Sequence, residues 1–117
     1  LLAACASSPA TRFYALAAPA AAPGTRALDG ATIAVGPVSV PEAVDRPQLV
    51  TQRGANEVRI DDFAHWAAPL RTEIARVLAE HLAALRPDAR IAPASAAPAT
   101  PDHRLALDVR RFALAPG

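Results

Sequence analysis

AAPLRTEIARVLAEHLAAL, residues 67–85, decides the fold class of this chain. Leu70, Ile74, Val77, Leu78, Leu82 and Leu85 recur at spacings of three and four, which gathers them on one side of a 3.6-residue spiral. Glu73, Arg76 and Glu80 fall on the other side, and Arg76 and Glu80 stand four apart, close enough to pair. Pro69 is tolerable only in the first turn, where its missing N–H had no partner to lose. Arg86-Pro87 ends the helix, because the residue before a proline is pushed out of the α region. The pattern predicts a helix over 67–85 with one apolar stripe, and such a stripe has to cover something.

The cover is supplied by strand-like segments on both sides. Arg12 to Leu16 is a short strand candidate carrying two aromatics, and 17–30 is an Ala/Pro/Gly-rich loop without a period. In Thr32 to Val40, Ile33 and Val35 share one phase and Val38 and Val40 the other; the flip at Gly36-Pro37 predicts a bulge or bend. Residues 41–47 read as a turn. Gln48 to Gln52 and Glu57 to Ile60 form a hairpin through 53–56. Asp61 and Asp62 then lead through Phe63 and Trp66 into the helix, and either aspartate can cap a first short turn. Beyond the helix, Arg90 to Ala92 is a strand candidate, Pro93 to Pro101 a second loop and His103 to Leu114 the last strand. Within that strand Leu105, Leu107 and Val109 alternate, whereas Phe112 and Leu114 take the opposite phase, so Arg110-Arg111 marks a further bulge. The expected fold is α/β: a sheet with a hairpin and one long amphipathic helix packed on it.

The totals are consistent with one such domain. The chain of 117 residues can bury one modest core, and much of its 52% apolar content is alanine. A formal net charge of +1 gives no reason to expect a nucleic-acid partner. No apolar run reaches the ~18 residues that a bilayer-spanning helix needs. The sequence has no methionine, which predicts that it begins inside a longer precursor. Ala115-Pro116-Gly117 reads as the start of a turn and predicts that the domain is truncated C-terminally.

Leu1-Leu2-Ala3-Ala4-Cys5 has the chemistry of a bacterial lipoprotein signal cut at a lipobox. Bulky aliphatics sit in the membrane, small residues fit the peptidase, and the thiol is acylated and becomes the new amino terminus. Residues 1–5 are thus expected to be the end of a signal with Cys5 as the lipidation site, and 6–117 a single periplasmic domain. The competing reading is a small buried cysteine, but a lone cysteine followed by Ala-Ser-Ser-Pro favours lipidation. Two or more acyl chains give stable anchoring, where one alone is marginal. Only about six residues separate Cys5 from the first strand, which holds the domain within roughly 20 Å of the bilayer.

Chemistry beyond the anchor is sparse. There is no Gly-x-Ser-x-Gly turn, and the serines lie in low-complexity loops or, for Ser39, in a strand, so no catalytic residue is assigned. His65, His81 and His103 lack ligand spacing, and one cysteine offers neither a disulfide nor the usual thiolates, so no metal or cofactor is expected. Asp61, Asp62 and His65 are explained more simply by turn capping than by an ion. His81 points into the apolar stripe; it is either a pH-sensitive contact or, by preference, a core histidine reaching a backbone carbonyl or the edge of the sheet. Phe63 and Trp66 offer a lipid or partner groove, against a default of ordinary core packing, and Arg46 and Gln48 lie in a stiff polar loop of the kind that carries function, against a default of a solvated turn.

Taken together, the lipobox, Phe13-Tyr14-Ala15-Leu16, Val35-Gly36-Pro37-Val38 and the run PEAVDRPQLVTQRGANEVRIDDFAHWAAPLRTEIARVLAEHL resemble the ABC-type transport auxiliary lipoproteins, the PqiC-like group. The resemblance implies an α/β sandwich lipidated at Cys5. It implies a partner as well: transporters of the mammalian-cell-entry (MCE) type, which carry lipids between the two membranes of Gram-negative bacteria. It also implies no enzymatic activity and supplies no catalytic residues. By similarity to other lipoproteins, Ala6 after the cysteine, rather than aspartate, implies the outer membrane, facing the periplasm. The alternatives are a fragment of a secreted hydrolase whose active site lies outside this chain, and a lipid carrier with its own cavity. Assembly as a homo-oligomer stays open.

Overall fold

The computed structural model describes residues 9–20, 22 and 30–115. Cys5 and Ala6 lie outside the described residues. The elements run β1 (Arg12–Tyr14), β2 (Thr32–Ser39), β3 (Gln48–Gln52), β4 (Val58–Trp66), α1 (Leu70–Leu85), β5 (Arg90–Pro93) and β6 (His103–Asp108), with 3-10 turns at Glu42–Val44 and Ala94–Ala96. The fold is mixed α/β, as the periodicities predict. Its strands divide between two three-stranded sheets, ordered β1-β4-β3 and β5-β2-β6.

Chain connections dictate the pairing. β3 and β4 are joined by a short turn, closed by the Arg53 N–H donating to the Glu57 carbonyl at 2.9 Å, and pair antiparallel. β2 and β5 are parallel, and the intervening chain includes α1, long enough for the crossover that parallel strands require. β6 flanks β2 on its other side, also parallel. Two aspartates pin that pair at its ends. Asp102 Oδ2 accepts from the Thr32 N–H at 2.8 Å and from the Thr32 hydroxyl at 3.1 Å, and the Ser39 hydroxyl donates to Asp108 at 2.7 Å.

The expected bulge in β2 is present: the β2–β6 register shifts between Val35 and Val38, across a cis Gly36-Pro37 bond. Three expectations need correction. The helix begins at Leu70, not Ala67, because Pro69 has ψ 138, an extended value, and stands before the first turn rather than in it. Residues 61–66, expected to lead into the helix, extend β4 instead. There the β3–β4 register jumps from Leu49–Asp61 to Gln48–His65, and the turn expected at the aspartates forms inside this bulge, where the Phe63 N–H donates to Asp61 Oδ1 at 2.9 Å. Finally, β6 ends at Asp108, and the phase change at Arg110-Arg111 is an exit rather than a bulge. The chain crosses to the other sheet, where Leu114 bridges Thr51 and its carbonyl accepts from the Gln52 N–H at 2.8 Å.

Two buried groups result. Ala34, Val35 and Val38 of β2 and Ala79 of α1 are buried where the helix covers the β5-β2-β6 sheet. Val44, Val50, Trp66 and Leu70 form the main cluster, joined by Leu16, Val40, Leu49, Ile74, Phe112 and Leu114. This cluster draws on β3 and β4 of one sheet, the segment just after β2, the helix start and the crossing tail.

Candidate functional site

The main cluster opens to the surface where the turn at 45–47 faces the strand-to-helix run at 66–70. The Trp66 N–H donates to the Pro47 carbonyl at 2.8 Å, and the Ala67 N–H donates to the Tyr14 carbonyl at 2.7 Å. The run is therefore held between the turn before β3 and the end of β1. Arg71 in the first turn of the helix reaches Asp45 at 3.4 Å and ties the turn to α1. Ala67, Ala68 and Pro69 carry little side-chain volume, so the space beside them is left unfilled. A hollow of about 310 Å³ remains, lined by Asp45, Arg46, Pro47, Trp66, Ala67, Ala68, Pro69 and Leu70.

Trp66 is its largest lining side chain. The residue is 8% exposed, and its ring meets Phe112 edge-on at 6.0 Å between centroids. Core packing, the default reading for this tryptophan, accounts for most of its surface; the hollow takes the rest. Arg46 is exposed, and its guanidinium makes no hydrogen bond or ion pair to the described residues; its backbone N–H donates to the Val44 carbonyl at 2.9 Å. Asp45 is offset by Arg71, which leaves Arg46 as the rim charge without a partner among the described residues. An apolar floor beside a cation that the described residues leave unpaired has the make-up of a small ligand site.

Arg46 and Trp66, separated by twenty residues of chain, are thus brought together. The other two suggested contacts are not. Gln48 is half-buried in β3 opposite His65, and Phe63 stands 41% exposed on the β4 bulge; neither lines the hollow. Arg71 carries no sequence signal of its own, since only the fold brings it to Asp45. Among the described residues no three His, Cys, Asp or Glu side chains gather as a metal site. His81 takes its expected structural role, with Nδ1 3.3 Å from the Pro19 carbonyl. His65 Nε2 lies 3.0 Å from the Asp62 carbonyl, inside its own bulge. No helix among the described residues is long and apolar enough to cross a membrane.

These features define a small two-sheet α/β domain with a hollow where the turn before β3 meets the run from β4 into α1. The family model for the ABC-type transport auxiliary lipoprotein component matches residues 14–117, and the chain belongs to that family. Neither the curated proteins nor the solved structures give a match.

Proposed function

We propose that this chain is a non-enzymatic accessory subunit, anchored through acylated Cys5, of an ABC transport system of the MCE type that moves lipids across the Gram-negative envelope. The observation that carries the reading is the family match, which runs from Tyr14 through the rest of the chain and includes every strand of the two sheets except the first two residues of β1. The lipobox pattern at 1–5 supports the anchor, and Ala6 supports the outer membrane as its location. In this reading the acyl chains hold the domain beside the bilayer while its surface docks the periplasmic part of the transporter.

Detergent extraction followed by pull-down of the tagged protein tests the partner; recovery of transporter subunits is expected, and their absence sinks the reading. Labelled palmitate tests the anchor. Incorporation is expected in the natural sequence and its loss in Cys5→Ser, while Ala6→Asp shifts the protein from outer- to inner-membrane fractions.

A further inference from the structure

We infer that the hollow between Arg46 and Trp66 is a binding site for a single-chain amphiphile with an anionic head, of the alkyl phosphate or lysophospholipid class. The inference deepens the lipid-transport reading above and rests on it for its biological meaning; the chemistry comes from the site. Four of its lining residues, Trp66, Ala68, Pro69 and Leu70, present hydrocarbon or ring surface, which favours an alkyl chain over water. A volume of about 310 Å³ is at the low end of the ~300–1,000 Å³ range of ligand sites, enough for one chain and small for a whole bilayer lipid. The head is specified by charge. Arg46 presents a guanidinium with no partner among the described residues, and its planar fork of donors matches phosphate or carboxylate oxygens. Asp45, on the same rim, does not cancel it, because Asp45 is engaged by Arg71 at 3.4 Å. The occupant that satisfies both surfaces carries its negative charge at one end of an apolar body.

Trp66 is the single tryptophan of the chain, so its fluorescence reports on this hollow without labelling. The full chain is titrated with decyl phosphate and with decyl maltoside, both below the concentrations at which they form micelles, and with inorganic phosphate. Decyl phosphate is expected to give a saturable change in Trp66 emission, inorganic phosphate none, and decyl maltoside a weaker response. Arg46→Gln lies on the exposed turn; it is expected to weaken decyl phosphate by about tenfold and leave decyl maltoside within about twofold, the loss of one charge-assisted contact. Arg46→Lys retains part of the affinity, and Ala68→Glu, which sets a carboxylate in the hollow, abolishes the response while circular dichroism stays native. An equal response to inorganic phosphate, equal affinity for the two decyl compounds, or no effect of Arg46→Gln overturns the inference. A chain that recovers transporter subunits yet gives no amphiphile response refutes the site and leaves the subunit reading standing.

Discussion

Glu73 shows what a helical wheel misses at the scale of one residue. Its spacing places it with Arg76 and Glu80 on the polar side of α1, yet it is 3% exposed. The segment carrying Leu16 crosses the helix at this point, as the 2.6 Å bond from Arg76 Nη2 to the Leu16 carbonyl shows. Arg76 also donates to Glu73 at 2.9 Å and, as the spacing predicts, to Glu80 at 3.2 Å. Removing the arginine strands a buried carboxylate, which costs more than the pair itself contributes. Because Arg76 is 43% exposed on its side chain, Arg76→Ala is expected to cost about 1–2 kcal/mol rather than the larger values of fully buried pairs. Adding Glu73→Leu is expected to restore at least half of that loss in urea denaturation. At Asp102 the argument concerns pH. The two hydrogen bonds from Thr32, its N–H first and its hydroxyl second, hold the carboxyl below its ordinary value, with His103 adding a smaller push in the same direction and desolvation opposing. A lowered folded-state pKa contributes stability above the unfolded value, which is lost as pH falls through the folded one. The gap in unfolding midpoint between the natural sequence and Asp102→Asn is therefore expected at pH 7 and shrinks as pH drops below about 4.

Among the elements, β2 depends most on one backbone position. The apolar phase flips between Val35 and Val38, and Gly36 makes the flip with φ +131, a region that disfavours any side chain. A Cβ built there meets the Cβ of Ala94 at 3.1 Å, where the 3-10 turn after β5 closes over the bulge. Gly36→Ala is expected to destabilise by about 1–3 kcal/mol, read as a shift in the urea midpoint at unchanged m value. The same kind of phase flip at Arg110-Arg111 has another cause. In β2 the strand resumes after the flip and keeps its partner; after β6 it does not, and the chain leaves for the other sheet. Alternation counts phases, and a change of phase looks alike whether the strand bulges or ends. β4 shows the converse: the polar Asp61-Asp62 pair breaks the apolar pattern although the strand runs on to Trp66, because a bulge with its own side-chain cap absorbs the aspartates.

For the molecule as a whole, the crossing tail at 109–114 carries the chain from the β5-β2-β6 sheet to the main cluster beside the β1-β4-β3 sheet. Phe112 sets its ring against Trp66, and Leu114 bridges to β3. Phe112→Ala is expected to cost about 2 kcal/mol, below the full cost of a buried aromatic because the residue is only half-buried. Its specific signature is a red shift of Trp66 emission in the folded state, as water reaches the indole face that the ring had covered; unchanged emission would separate the tail from the core.

The local features were legible in the sequence. The hairpin, the apolar stripe of α1, its end at Arg86-Pro87 and the bulge at Gly36-Pro37 all rest on interactions within a few residues, where periodicity and proline or glycine geometry act directly. So was half of the candidate site: an arginine in a stiff turn and a tryptophan beside a helix stand out by residue type. Only the tertiary structure decided the division into two sheets, the burial of Glu73, the Asp45–Arg71 tie and the meeting of Arg46 with Trp66. Those depend on partners far apart in the chain, up to the 70 residues between Thr32 and Asp102. The reason is entropic and combinatorial: six short strands offer alternative pairings, and only closure of the long connections over the buried groups selects among them.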